Sequence, residues 1–515
     1  MISKPEAKLG RGETPALSDT AEQTISFAAC LLGTVASVGG FMLGYARYIR
    51  SASGQISGFF PMNDFAQRFG EEQADGTFLF SAVRQGTIVG FLDIGCLVGA
   101  LLAGKLADAA GRRWAISLMA FFGCAGTAIE ISASRGRWVQ FALGRAVTGV
   151  SVGSLAVVVP MYQAESSPAA VRGLVVSLYQ LLVTLGIWAA EMVNWATEAR
   201  ADSGCWRIPN GLGVIWALAL GVGILFFPES PRHAFRKGHA EEARHTIARL
   251  AGLDPNSPGV EREMAAIKAK LDEERRAAET RWHDMFTGDR MLYRVALGVV
   301  LEACMQLTGV NFFFYYGTTV FKSTGISNSY VTQLVFGSVN VVCTVAGLYL
   351  IHRAPRRAAL IGGAACMMVC FLVYSFVGHY ALDHEDPMRT PAAGAVLIAV
   401  SCLATAAFAS TWGLLVWSVV AEMYPSQYRA KCMALATAAN LLWNFLISFF
   451  TRFITDAIDY FYGFVFACSC AVAVFVVFFF LIEPKGRTLE EIDTMYILRV
   501  PPNKSGKWRA EEVHH

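Results

Sequence analysis

An all-α integral membrane fold of twelve transmembrane helices in two six-helix halves is predicted by three features of the sequence. Of 515 residues, 54% are hydrophobic and 16% charged, with a mean hydropathy of +0.43, whereas soluble domains carry about 25% charged residues. The apolar residues gather into runs of about 20, the length a helix needs to cross a bilayer core. Six such runs, one long polar interval and six more runs follow in order.

The runs lie near 25–45, 86–107, 114–131, 138–160, 174–193 and 208–228, then near 293–318, 330–351, 358–378, 393–418, 432–453 and 460–482. Each must be helical, because hydrocarbon offers no partner for a free backbone N–H or C=O. This divides the chain into an N-terminal tail (1–24), a first half (25–228), a linker (229–292), a second half (293–482) and a C-terminal tail (483–515). The linker mixes opposite charges densely, as in KAKLDEERRAAETR, the pattern of a solvated helix face.

Short loops rich in Lys and Arg stay in the cytoplasm. Lys105, Arg112 and Arg113 follow the second run, Arg353, Arg356 and Arg357 the eighth, and Arg429 and Lys431 the tenth. The loop at 379–391 sets Asp383, Glu385 and Asp386 against Arg389. Both tails are therefore expected in the cytoplasm. A net charge of +3 is too small to imply a nucleic-acid partner, and none is expected. The twelve cysteines are scattered, with no metal-binding spacing, so no metal or cofactor is expected.

The halves echo one another. Glu165, Pro168 and Arg172 share the spacing E-x2-P-x3-R with Glu422, Pro425 and Arg429. Arg112-Arg113 is matched by Arg356-Arg357. Pro228-Glu229-Ser230-Pro231-Arg232 is matched more loosely by Glu483-Pro484-Lys485-Gly486-Arg487. Parallel six-helix repeats suit a carrier whose halves rock about a midplane site.

Gly104-Lys-Leu-Ala-Asp108-Ala-Ala-Gly111-Arg112-Arg113 resembles the G-x3-D-x2-G-R-R loop of the major facilitator superfamily. The stretch from Pro160-Met161-Tyr162 through Glu165, Pro168 and Arg172-Gly173 is similar to the sugar-porter motif after the fourth span, as Pro228–Arg232 is to PESPR. Gln306-Leu-Thr-Gly309-Val-Asn311, followed by Tyr315-Tyr316-Gly-Thr-Thr, resembles fungal hexose transporters. So do Ile56-Ser57-Gly58 and the run from Met62 through Asp64-Phe65 to Arg68-Phe69-Gly70.

The resemblance implies a major facilitator fold in the plasma membrane that passes a glucose-like monosaccharide through the lipid bilayer, without enzyme activity. A sugar needs amides that both donate and accept and an aromatic face. By resemblance Gln180, Gln306, Asn311, Tyr315, Trp417 and Asn440 serve that role. Gln306 and Asn311 do not share one helical stripe, so a break at Gly309 is expected between them. Asn194 and Asn444 are read as bonding helix to helix. Asp108, Arg112, Arg113, Glu165, Arg172, Glu422 and Arg429 form the gating charges, with Asp108/Arg172 and Glu165/Arg112 as the expected pairs.

The chain departs from the family at several points. Proton-coupled sugar porters resemble G-Y-D-x-G-x-I-S-G in the first span, but here Gly44-Tyr45 is followed by Ala46-Arg47-Tyr48-Ile49-Arg50. The Asp is missing, and the arginines are expected to interrupt the helix over 46–53, since mid-bilayer Arg is costly. Arg145 thereby loses its expected partner. Asp93 and Glu302 become candidates for an ion pair with Arg145 or Arg47, or for binding a transported proton. Met305 precedes Gln306 where a second Gln is usual, Leu414 replaces a Pro before Trp417, and Leu441 replaces a Trp after Asn440. Facilitated diffusion is favoured over proton symport. The alternatives are a nontransporting sugar receptor, which the short C-terminal tail disfavours, and carriage of a pentose, disaccharide, polyol or quinate.

Overall fold

The computed structural model describes residues 27–50, 59–60, 62–74, 76–167, 172–278, 284–288, 290–310, 312–313, 329–383, 390–485, 487 and 489–508. The first half comprises α1 (Phe27–Arg50), a short α2 (Asn63–Phe69), α3 (Ala82–Ala110), α4 (Arg112–Ile131), α5 (Trp138–Ser166), α6 (Arg172–Thr197) and α7 (Gly204–Gly223). The linker carries α8 (Pro231–Arg236), α9 (Ala240–Ala251), α10 (Pro258–Ala278) and α11 (Asp284–Thr287). The second half comprises α12 (Met291–Leu307), α13 (Ser329–Arg353), α14 (Arg356–Phe376), α15 (Pro391–Ser410), α16 (Trp412–Met423), α17 (Ser426–Ile458) and α18 (Tyr462–Phe480), with α19 (Leu489–Ile497) after it. Among the described residues nine helical stretches are long and apolar enough to cross a membrane, α15 and α16 counting as one. Helices α1, α6 and α12 fill the other three of the twelve expected places.

Four expectations change in detail. The first helix is not interrupted at 46: it runs unbroken to Arg50, and residues 51–58 lie outside the described set. The twenty residues from Phe27 to Ala46 already span about 30 Å. A helix of that length has room for Arg47 and Arg50 after twenty residues that carry no Lys, Arg, Asp or Glu. The seventh span is broken after Leu307, at Thr308–Gly309, and is helical again at Val310 and at Phe312–Phe313, while 314–318 lie outside the described residues. The tenth is divided at Thr411 (φ −128°, ψ −81°). A two-stranded antiparallel ribbon, Glu71–Glu72 against Phe78–Leu79, adds the one β element among the described residues.

Small residues let helices approach closely, as they do where lipid supplies no hydrophobic drive. On the α3–α5 face, a Cβ on Gly99 would lie 2.1 Å from the Val150 carbonyl oxygen, and one on Gly153 2.0 Å from that of Cys96. In the linker, Ala243, Ile247 and Ala248 of α9 bury against Val260 and Met264 of α10, leaving the charges outward.

The two halves meet at the end away from the basic loops. A Cβ on Gly90 of α3 would meet Phe445 of α17 at 2.7 Å, and one on Gly86 would meet Phe449 at 3.1 Å. On the other side, the Trp188 indole N–H of α6 donates to Ser338 Oγ of α13 at 2.9 Å, and Glu191 packs on Gly337. Gly90→Trp should wedge this closure apart. Uptake is expected to fall to background while membrane expression persists, and a cysteine placed at Ser338 should become more reactive to an impermeant thiol reagent than in the Gly90 parent.

Candidate functional site

Gly309 sets the geometry of the seam between α12 and α17. It has φ +78°, which glycine adopts without strain, and a Cβ there would lie 2.3 Å from Phe466 Cγ. The helix therefore ends at Leu307, and Gln306 sits in its last turn. The break expected at Gly309 is present, but Asn311 and Tyr315 lie outside the described residues.

Glu302 and Gln306 are one turn apart on α12, and Asn440 and Asn444 are one turn apart on α17, so each pair shares a face. They join as a ladder. Asn440 Nδ2 donates to Glu302 Oε2 at 2.9 Å, Gln306 Nε2 donates to Asn440 Oδ1 at 2.9 Å, and Asn444 Nδ2 donates to Gln306 Oε1 at 3.2 Å. All four are buried. Three amides in a row present both donors and acceptors, and their mutual bonds can be exchanged for those of a polyhydroxylated guest.

Gln180 on α6 and Trp417 on α16 are half-buried, and the structure does not hydrogen-bond either to the ladder. Asn444, read from sequence as bonding helix to helix, does so: its Nδ2 on α17 donates to Gln306 Oε1 on α12. Asn340 of α13 was missed altogether: it is 8% exposed, and its side chain makes no hydrogen bond to another described residue.

The expected Glu302–arginine pair is not formed. Among the described residues Glu302 is bonded by Asn440 and makes no ion pair. Arg145 is fully buried, with its guanidinium 6.0 Å from the centre of the Phe141 ring, a cation–π distance. Asp93 is buried on α3. Arg47's side chain lies outside the described set.

At the basic-loop end the repeat becomes visible as geometry. The Glu229 carboxylate accepts from the backbone N–H of Arg112 at 2.8 Å and of Arg113 at 3.2 Å. That places a negative charge on the N-terminus of α4, where it is favoured. Glu483 does the same for α14, accepting from Arg356 N and Arg357 N at 3.0 Å each. Arg112 lies 3.0 Å from Glu165, and Arg356 lies 2.9 Å from Glu422. Arg113 donates to the Phe227 carbonyl as its counterpart Arg357 does to that of Val477, and Arg429 donates to the Tyr424 carbonyl. Asp108 was expected to meet Arg172, whose side chain lies outside the described set. Its recorded partners are Arg112 at 3.1 Å and Arg236 at 2.6 Å.

The first-half cluster also holds a histidine. His233 of α8 places Nδ1 2.8 Å from Arg112 Nη1. Burial, then the Arg112 charge, lowers its pKa below the usual 6.5, with Arg236 and Lys237 adding to this and Glu229 opposing it. A depressed folded-state value means that the stabilisation is complete above about 6.5 and is lost as pH falls through the lowered value. Purified protein should lose thermal stability between pH 7.5 and 5.5 by a few degrees more than a His233→Gln variant does. Parallel curves for the two would refute this.

Two halves with matched charge clusters, closed against each other at the opposite end and joined by a polar seam inside the membrane, define a multi-pass membrane carrier. The chain belongs to the family described as Sugar (and other) transporter, whose pattern matches residues 32–496. It is 41% identical over 473 residues to hexose transporter HXT10 of Saccharomyces cerevisiae, covering 91% of this chain and 85% of that protein. It is 40% identical to the low-affinity glucose transporter HXT1 of the same yeast, covering 91% and 82%. It is 39% identical to hexose transporter 2 of Kluyveromyces lactis, covering 96% and 87%. The inward-open xylose transporter XylE of E. coli superposes with a TM-score of 0.73 at 24% identity, covering 91% of this chain and 99% of that one. At that identity it attests the fold alone.

Proposed function

We propose that this protein carries a glucose-like hexose across the plasma membrane by facilitated diffusion, with both termini in the cytoplasm. The observation that carries the reading is the ladder of three interchangeable amides on α12 and α17, in a chain about 40% identical to hexose transporters. Such a surface suits a neutral ring of hydroxyls, whose loss or inversion leaves buried amides unpaired. The halves closed at one end correspond to one state of alternating access. The basic loops 104–113 and 352–357 share an end of the molecule, which supports the orientation. The sequence of α1 contains no Asp or Glu, which supports uncoupled passage.

One feature favours a second reading. Glu302, a carboxyl within the amide ladder, supports proton-coupled uptake through the second half. Uptake by cells stripped of their own hexose carriers separates the two. Facilitated diffusion predicts glucose uptake in preference to xylose, fructose and a disaccharide, with no effect of a protonophore. Strong inhibition by the protonophore across a pH series, abolished in Glu302→Gln, would overturn the facilitator reading.

A further inference from the structure

Among the described residues two non-glycine residues adopt positive φ, and both are arginines: Arg290 (φ 57°) and Arg499 (φ 55°). They line the same groove, of about 240 Å³, at the basic-loop end of the second half, with Tyr293, Phe479, Phe480 and Tyr496. A left-handed backbone at a residue with a side chain costs about 1 kcal/mol or more, and glycine is the ordinary choice at such a place. The guanidinium groups give a reason for arginine instead.

We propose that this groove binds the phosphate of an anionic phospholipid from the cytoplasmic leaflet, an inference that rests on the orientation proposed above. Three observations support it. First, among the described residues no carboxylate pairs with the groove's two arginines. Arg294 one turn on is held by Asp493 and stacks 4.7 Å from Tyr496. Arg290 and Arg499 make no ion pair or side-chain hydrogen bond with a described residue, and Arg290 is held only against the Tyr293 ring at 5.2 Å. Second, Arg290 is the N-cap of α12 and caps no amide with its side chain. The first turn of a membrane helix, where an anion is favoured, therefore borders the groove, although its Met291 N–H is already bonded to the Gly288 carbonyl.

Third, the wall is amphipathic. Phe479 and Phe480 at the end of α18 are 53% and 38% exposed on the face a lipid chain would follow. The Tyr293 hydroxyl donates to the Phe480 carbonyl at 2.8 Å and fixes the two helices together. Basic pockets between membrane helices on the cytoplasmic side are suited to lipid phosphates, and guanidinium forks match phosphate oxygens. A soluble phosphate would gain nothing from the phenylalanine wall, so the lipid is the assigned source.

The test uses the full chain in phosphatidylcholine nanodiscs with and without phosphatidylserine. Lipid retention is read by native mass spectrometry and stability by thermal unfolding. The parent is expected to retain phosphatidylserine and to unfold a few degrees higher with it. Arg290→Gln/Arg499→Gln removes both guanidinium groups and should retain it at least about tenfold less, the least expected from losing even one charged contact, and behave as the parent in phosphatidylcholine alone. If that double variant folds poorly, Arg499→Gly removes one guanidinium while relaxing the backbone, and reduced retention is still expected. Unchanged retention in these variants would overturn the proposal. So would inorganic phosphate reproducing the stabilisation in phosphatidylcholine discs. Glucose uptake into phosphatidylcholine vesicles is read separately, so failure of the lipid site and failure of the transport reading remain distinguishable.

Discussion

Asn440→Ala should lower glucose uptake at limiting sugar by roughly 100- to 1,000-fold. The side chain donates to Glu302 and accepts from Gln306, both buried. Truncation strands a carboxylate oxygen and an amide N–H at about 1–3 kcal/mol each, and also removes a group offered to sugar. About 3–4 kcal/mol corresponds to the predicted range. Asn440→Asp keeps the size but offers no donor, so it should set a second carboxyl beside Glu302 and fail nearly as badly. Initial uptake rates of radiolabelled glucose, normalised to surface protein, provide the measurement. A loss under tenfold in Asn440→Ala would remove the ladder from the transport path.

Glu165→Ala is expected to cost about 3 kcal/mol, because it leaves Arg112 buried beside His233 with its better-buried counter-charge gone. Side-chain exposure is 2% for Arg112 and 8% for Glu165, while the remaining partner, Asp108, is 52% exposed and better screened. Replacing both members of the pair, Arg112→Met with Glu165→Met, should cost less than the sum of the single changes, since neither charge is then stranded. Unfolding midpoints in detergent and uptake rates in cells both report on this. Additive losses would mean that the two side chains act independently.

The helix count and the two halves were legible because hydropathy and loop charge act through the solvent, which does not depend on tertiary detail. The linker's dense charge likewise predicted exposed helix faces. The loose echo of Glu229 by Glu483 could be read only as weak similarity, since one glutamate follows its proline and the other precedes it. In three dimensions both carboxylates cap the equivalent helix, which no spacing rule specifies.

Other features were illegible for identifiable reasons. Arg47 and Arg50 looked like an interruption because mid-bilayer arginine is costly, yet helical backbone carries on through both, to Arg50. The tenth span was read as continuous because its hydropathy is continuous, although the backbone turns at Thr411 and Trp412 donates its indole N–H to the Leu360 carbonyl. Asn444 was read as bonding helix to helix and does so, but the sequence did not show that its partner is Gln306. Glu302 drew attention as a charge seeking a cation, and it found an amide. Among the sugar-site candidates, Gln306 and Asn440 are in contact, while Gln180 and Trp417 are present on helices without a bond to that pair.

The central claim is that one hexose site is offered to each side of the membrane in turn without a coupled ion. Counterflow in phosphatidylcholine vesicles tests it most directly. Vesicles preloaded with unlabelled glucose, carrying the purified protein and no pH gradient, should accumulate labelled glucose transiently above equilibrium. The same overshoot should appear when an inward proton gradient is imposed, and Asn440→Ala should abolish it. An absence of overshoot at zero gradient, with accumulation appearing only when protons flow inward, would contradict the account.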